Sequence, residues 1–497
     1  MATWERVIAV AAACGVGGAA WAVDDESGHS AAEKSMPTVH VTAQSLEVRV
    51  YTREEMDATP EGNRDISSLV ANHPAVRQNP TVNGAGNRGS LAPESFSIHG
   101  QSPYQNQFQV DGISATNVIS PQNQNLNLQV GNVPGFSQAY NIDTELLDSV
   151  EVYDNRVPVE FGRFTGGVVD AQIKTPQGTN KVEVKRSFNS SNLTQQKMPP
   201  RVTEAWEEGE PGYSARWKKH FSSINADVKL SDETAALLAF SRRESEIQRT
   251  GKVLDRTSGI PNGKTTRLVA TDHSDQVDNV FAKFHRRWGQ GLDTNLTLKY
   301  ADRQEHLVDN FFADTAWTNQ QKAYGIGLDA TQVLDAGKLS LKFGLDQLNA
   351  QRNSSGTEFV TQQFADKSLS QYTYGGFGTE ALEQQQVTAK LRMDWKTLQT
   401  GAVSHKIYAG VDAQSIDAHF DRKQDAYAYR AVQQLDGSQK YFNKTHYMAG
   451  KVKAGYNSTS LYVSDTMQWG NWSAILGARV DRDNYFKNTN FAPRGRV

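Results

Sequence analysis

At 497 residues, with 52 Lys and Arg against 55 Asp and Glu, the chain is nearly neutral and has length for about two to four ordinary domains, or for one small domain and one large barrel. No long basic run is present, so nucleic acid is not an expected partner. The mean hydropathy is −0.60 and no apolar run beyond the first 22 residues approaches the ~20 that a membrane-crossing helix needs, which excludes helical insertion but not a membrane barrel, whose strands alternate lipid-facing apolar with lumen-facing polar residues.

Residues 1–22 have the form of an export signal: Arg6 near the start, an apolar run over residues 7–20, and Ala20-Trp21-Ala22 as a small-residue cleavage site. This reading is preferred to a buried N-terminal helix. The only cysteine, Cys14, lies inside that run, and a lipoprotein-type cut before it would leave a very short leader. The mature chain then has no cysteine and no disulfide framework. Residues 23–36 are polar and acidic and form a flexible arm. Residues 37–43, PTVHVTA, are an isolated strand-former in which Val39 and Val41 point one way while Thr38, His40 and Thr42 point the other. Pro37 cannot donate to a ladder and belongs at the first position of an edge or free strand. Two uses stay open for this heptad: joining the first sheet of the next domain, or pairing with a strand of another protein.

Residues 65–76, DISSLVANHPAV, set Asp65 as an N-cap ahead of Ile66, Leu69 and Val70 at helical spacing, with Pro74 beyond the end: a short amphipathic helix for core packing. FSIHG (96–100) and FQVDG (108–112) read as short strands closed by Gly100 and Gly112, the second through the strong turn signal Asp111-Gly112. Residues 101–107 and 117–129, rich in Gln, Asn, Ser and Pro, suit loops, either on the surface or lining a wet cavity. Residues 146–175 form a seam between two regions. It holds a strand over 149–153 that carries Glu151, a turn at Phe161, Gly162, Arg163, Gly166 and Gly167, and a second strand over 168–175. The three glycines permit positive φ or the close approach of another segment.

From Lys181 onward the period is two. Leu292, Thr294, Leu296, Leu298 and Tyr300 alternate with Asp293, Asn295, Thr297 and Lys299; Trp472, Ala474, Leu476, Ala478 and Val480 alternate with Ser473, Ile475, Gly477, Arg479 and Asp481. Such runs match the roughly 9 to 11 residues of a tilted membrane-crossing strand. Tight turns are expected near Ser231-Asp232-Glu233, Gly289-Gln290-Gly291, 335–338, 398–404 and Gly470-Asn471, and long polar connections over 191–217, 243–275, 303–320, 351–382 and 421–447. Short turns on one side and long loops on the other favour an outer-membrane barrel over a soluble sandwich.

The order PTVHVTA, DISSLVANHPAV, FSIHG, VDG, VEV, then FG and GGVVDAQIKT, resembles the N-terminal plug domain of a TonB-dependent outer-membrane receptor over about residues 37–179. The resemblance implies that Thr38, Val39, His40, Val41, Thr42 and Ala43 are the TonB box, although Pro37 replaces the usual acidic residue. The family's Ile-Arg-Gly is here Ile98-His99-Gly100, and the Arg that follows Val-Glu-Val is replaced by Tyr153-Asp154, with Arg156 a little later. Those family arginines commonly pair with barrel carboxylates, so His99 and Arg156 are the candidates for a plug–barrel lock. The sensing members carry a signalling domain before the box; here only residues 23–36 intervene, and a transcription-signalling role is not supported.

The expected architecture is mainly β: a leader (1–22), a periplasmic arm with the box (23–43), a small α+β plug (44–179), and an incomplete antiparallel transmembrane barrel (180–497) with about 11 of the about 22 strands of plugged transporters. On this count the chain reads as a C-terminally truncated fragment. No His-Glu-x-x-His, cysteine pair or Gly-x-Ser-x-Gly is present, the GIPNGKT of residues 259–265 falls short of a phosphate loop, and the 11 histidines show no metal-ligand spacing. No enzyme activity, cofactor or metal is expected. The implied function is import of a scarce ligand, siderophore-like or another nutrient, driven by TonB and its inner-membrane energising complex. The alternative is a non-transporting surface receptor or adhesin for a small molecule or peptide, since EFGRFTGGVVDAQIKT is similar to Oar-like members; a passive porin is disfavoured by the plug. Outer-membrane lipid is the other partner. Phe311, Phe312, Trp317, Tyr372 and Tyr374 are loop aromatics that suit either ligand contact or interface anchoring.

Overall fold

The computed structural model describes residues 48–59, 62–78, 89–118, 133, 135–194, 204, 214–255, 265–309, 312–354 and 356–497. The expected leader, the arm and the TonB box lie outside them. Thr52 ends the first strand, β1 (Arg49–Thr52), and its side chain caps the helix Arg53–Ala58, which places Glu54 and Glu55 in its first turn. Asp65 caps the next helix as expected, its carboxylate accepting the Ser68 N–H at 2.7 Å. That helix is only Ile66–Leu69, followed by a 3₁₀ turn, Val70–Asn72. It is shorter than the sequence suggested because the residue before Pro74 is driven to extended geometry.

Six more short strands complete this region: β2 (Val76–Gln78), β3 (Phe96–Ile98), β4 (Gln107–Val110), β5 (Ile113–Ser114), β6 (Leu147–Tyr153) and β7 (Val168–Ile173). They form a five-stranded sheet of order β1-β6-β7-β4-β5 and a separate β2-β3 pair. The two expected strands around Phe96 and Phe108 therefore belong to different sheets; their rings meet edge-to-face at 5.6 Å. Leu69, Val70, Ile98, Leu146, Leu147, Val150, Val152 and Ile173 make a dry core.

The second region is one large antiparallel sheet. Its strands are β8 (Lys181–Ser190), β9 (Ser214–Lys229), β10 (Thr234–Leu254), β11 (Thr266–Trp288), β12 (Leu292–Val308), β13 (Ala316–Leu334), β14 (Gly337–Ser354), β17 (Thr379–Trp395), β19 (Val403–Arg422), β22 (Gly450–Trp469), β23 (Trp472–Asp483) and β24 (Thr489–Arg496), paired in that order, with β18 (Leu398–Thr400) added beside β19. The expected tight turns fall between β9 and β10, β11 and β12, β13 and β14, β18 and β19, and β22 and β23. Among the described residues β8 pairs only with β9 and β24 only with β23.

Alternation sorts the two faces as a barrel requires: Leu296 and Leu298 are 39% and 40% exposed on the outside, while Thr297 and Lys299 between them are each 4% exposed against the plug. The plug core continues onto this wall at Leu237, Ala239, Phe281, Ala301, Ala323 and Leu348. The connection expected over 243–275 is much shorter than the sequence suggested. β10 and β11 stay paired as far as Leu254 opposite Thr266, so most of residues 243–275 is ladder rather than loop. In that outer part both faces are largely polar, with only scattered apolar residues such as Ile247 and Leu268 between the charged ones, and the period-two signal that marks a strand is lost.

Two connections do carry extra structure. β15 (Glu358–Phe364) and β16 (Tyr372–Gly375) from one, and β20 (Ala426–Gln433) and β21 (Gln439–Tyr447) from another, form an exterior sheet of order β16-β15-β20-β21, in which β15 and β20 are parallel.

Candidate functional site

The site is the interface between plug and wall. At its centre is the Asp111-Gly112 turn. Asp111 and Gly112 have φ of 52° and 74°, the pair of left-handed residues that a two-residue hairpin of type I′ demands. The turn is tied to the plug by the Gly112 N–H, which donates to Asp170 Oδ1 at 3.0 Å, and by the Ile173 N–H, which donates to Asp111 Oδ1 at 3.0 Å. Burial pushes the Asp170 carboxyl up to about 7 even though the Gly112 N–H and Lys342 favour its charged form.

Three wall strands close on the same turn. Lys283 of β11 donates to Asp111 Oδ1 at 3.2 Å and to the Ile173 carbonyl at 3.0 Å. Lys342 of β14 donates to the Asp111 carbonyl at 2.9 Å, and Lys390 of β17 to the Gly112 carbonyl at 2.7 Å. The next residue, Ile113, enters a notch that exists because Gly327 and Gly344 carry no side chain; a Cβ on Gly344 would collide with it.

On the N-terminal side of the plug, Arg243 of β10 is fully buried and donates to the carbonyls of Asn63 and Arg64, both at 3.1 Å, and of Asn141 at 2.6 Å. Lys219 of β9 reaches Asn63 Oδ1 at 2.6 Å. Asp275 of β11, itself held by Arg303 at 2.8 Å, accepts the Leu91 N–H at 2.7 Å. Tyr140 of the plug donates to Asp346 of β14 at 2.6 Å.

On the seam side, Glu160 accepts from Arg392 and from the Tyr408 hydroxyl, each at 2.7 Å. Arg479 donates to the Glu160 carbonyl at 2.7 Å, and Arg494 to the carbonyls of Val157 at 2.6 Å, Phe161 at 2.8 Å and Pro158. Gly162 leaves room for the Arg479 guanidinium, and Arg163 bonds Ser458. Of the two uses open to the seam glycines, close approach applies: Gly166 faces Asn106 and Gly167 faces Ile98, while the positive φ of 62° falls on Arg163. Glu151 stays within the plug, accepting from the Tyr153 hydroxyl at 2.7 Å.

The expected lock at His99 and Arg156 is not where the structure joins the two regions. His99, with Gly100 in a left-handed turn, pairs with Asp154 of the plug itself at 3.3 Å and is largely exposed. Arg156 lines a cavity of about 700 Å³ with Glu160, Arg392, Tyr408 and Arg494, and makes no ion pair with a wall carboxylate among the described residues. The polarity is the reverse of the expected one: wall cations reach plug carbonyls. Backbone acceptors have no side-chain signature, so this joint left no motif to read.

The loop aromatics divide. Trp317, 4% exposed, packs with Leu307, Phe377 and Ala426 beneath the exterior sheet, and Phe312 meets Phe359 edge-to-face at 5.0 Å. These two form a small core. Tyr372 and Tyr374 lie on β16 with ring centroids 5.7 Å apart and remain partly exposed. Phe311 lies outside the described residues.

Residues 41–169 match the TonB-dependent receptor plug domain. The uncharacterized protein YddB of Escherichia coli K12 is 33% identical over 451 residues, which are 89% of this chain and 55% of that protein. The crystal structure of the outer membrane transporter YddB from Escherichia coli is similar at a TM-score of 0.78 and 32% identity, over 90% of this chain and 58% of that one. The siderophore receptor PirA of Acinetobacter baumannii shares the fold at a TM-score of 0.56 and 16% identity, over 90% of this chain and 58% of its own. This chain thus spans between half and two thirds of the length of these relatives. The plug match, the YddB likeness and a wall that is apolar outside and polar inside together give this chain the plug domain and the wall architecture of the TonB-dependent outer-membrane receptors.

Proposed function

We propose that the protein imports a scarce ligand, siderophore-like or another nutrient, across the outer membrane by TonB-coupled movement of the plug. In this reading residues 1–22 are a leader, 23–43 an arm, 44–179 the plug and 180–497 barrel wall. Thr38, Val39, His40, Val41, Thr42 and Ala43 hand a strand to TonB in the periplasm. The observation that carries the reading is the Asp111-Gly112 turn, held by lysines from three separate wall strands. Such a plug blocks the lumen and does not leave by thermal motion. A domain of its size is typically stable by about 5 to 15 kcal/mol, whereas a six-residue strand pairing yields a few hydrogen bonds of about 0.5 to 1.5 kcal/mol each. TonB therefore grips through the box, and the work comes from force on TonB supplied by its energising complex. The likeness to YddB, described as an outer membrane transporter, supports transport over a purely adhesive role.

Val41→Pro removes a donor and the strand geometry from the box. Uptake should be lost in the full-length protein with ligand binding at the cell surface intact; unchanged uptake would refute the box assignment. Energy-dependent accumulation of the bound ligand separates import from adhesion.

A further inference from the structure

We infer that the conduit opened by plug movement is lined with surplus positive charge, and that the solute it passes is a small anion. The inference rests on the reading of the chain as a plugged importer and adds the charge class of its cargo.

The wall cations facing the plug are of two kinds. Some are neutralised by carboxylates of the wall itself: Lys299 by Asp346 at 2.7 Å, Arg303 by Asp275 at 2.8 Å and Glu305 at 3.1 Å, Lys342 by Asp329 at 2.6 Å, Arg392 by Asp394 at 2.6 Å, and Arg479 by Asp481 at 2.9 Å and Asp412 at 3.2 Å, so that two wall carboxylates are left over against the unpaired cations. These pairs travel with the wall and remain closed whatever the plug does. Lys219, Arg243, Lys283, Lys390 and Arg494 are different. Among the described residues none has a wall carboxylate within ion-pair distance, and their hydrogen-bond acceptors are plug atoms: Asn63 Oδ1 for Lys219, three carbonyls for Arg243, Asp111 and a carbonyl for Lys283, one carbonyl for Lys390 and three for Arg494.

A carbonyl satisfies the donor geometry of a buried cation without cancelling its charge. While the plug is seated these five groups are hydrogen-bonded, and only Lys283 makes an ion pair, with Asp111. Once plug atoms withdraw, each loses its acceptors and keeps its charge. Lys390 also stands directly opposite Lys342 across the β14–β17 ladder, where Asp329 pairs with Lys342 alone and leaves the second ammonium group without a carboxylate of its own. The turn carbonyls of Asp111 and Gly112 lie there now. An anion is the species that can take their place, because a low-dielectric wall with surplus positive charge concentrates solutes of the opposite sign.

The test uses planar bilayers holding the full-length protein, with the plug loosened by urea and potassium chloride as the probe on both sides at unequal concentration. The expected result is a conductance that passes chloride in preference to potassium, most strongly at low salt, where screening is least. In the Lys283→Gln/Lys390→Gln double variant the preference should fall by about twofold or more. The Lys283→Arg/Lys390→Arg variant keeps the charge and should keep the preference. A potassium-preferring or unselective conductance, or a preference that ignores the Gln substitutions, overturns the anion assignment while leaving the plugged importer standing. Loss of selectivity in the Arg variant assigns the effect to packing and also overturns it. Absence of any urea-evoked conductance overturns the plugged-pore reading and this inference together.

Discussion

The plug and the wall send their apolar residues in opposite directions. In the plug, Leu69, Ile98, Leu146, Val150 and Ile173 are buried to 1% exposure or less, as in any water-soluble domain. In the wall, Leu298, Ile326 and Leu345 stand outward at 40%, 47% and 43% exposure, and the residues buried against the plug include Arg243, Lys283 and Arg479. Each region is built for its own solvent, water for one and lipid for the other. Where they meet, apolar contact is confined to a few wall residues such as Phe281 and Leu348, and the hold is polar: side-chain donors of the wall on backbone acceptors of the plug, joined by side-chain contacts such as Arg392 with Glu160 and Tyr140 with Asp346. A joint of this kind has defined geometry and little of the non-directional adhesion that would resist sliding.

Breaking the joint at its most buried cation should have the largest effect. Arg243→Ala leaves the carbonyls of Asn63, Arg64 and Asn141 without their donor, at a cost of about 1–3 kcal/mol for each buried acceptor left unsatisfied. Hydrogen exchange should accelerate over the plug helix Ile66–Leu69, with the β17 amides unchanged. Equal protection of that helix in both proteins would show that Arg243 does not hold the plug.

The opposite face gives the next largest change. Leu298→Lys puts a charge on the outward surface of β12, where a lipid-facing cation costs about 2–4 kcal/mol near the bilayer midplane and less toward its edges. Unfolding of the wall should become easier, while a plug that is already docked keeps its exchange pattern. A neutral result would mean that Leu298 does not face hydrocarbon.

What could be read from the sequence follows the same division. The alternation of Leu296 and Leu298 with Thr297 and Lys299, and turns such as Gly470-Asn471, are local patterns, and the structure has the wall strands where they fall. The Asp65 cap and the Asp111-Gly112 turn are local as well. The exterior sheet was not legible, because β15 and β20 come from connections about sixty residues apart and pair in parallel, which no local turn signal encodes. The outer halves of β10 and β11 were hidden by being largely polar on both faces. The grip on the plug was hidden most completely: Lys390 reads as any lysine on a strand until the Gly112 carbonyl is seen 2.7 Å away.

The smallest expected effect is the sharpest test of where the lock lies. His99 is the residue that the family pattern nominates, yet its ring faces Asp154 across 3.3 Å on an open surface, where such a pair is worth about 0–1 kcal/mol. Replacing it must not disturb the turn, because His99 sits at a φ of 53°, a conformation in which alanine would be strained. Asparagine tolerates that region and carries no charge, so His99→Asn isolates the ion pair from the backbone. Plug exchange in this variant should stay within about threefold of the parent, a shift of roughly 0.6 kcal/mol or less. Release comparable to that of Arg243→Ala would return the lock to His99, and the carbonyl-bound wall cations would then be filling space rather than holding the plug in place.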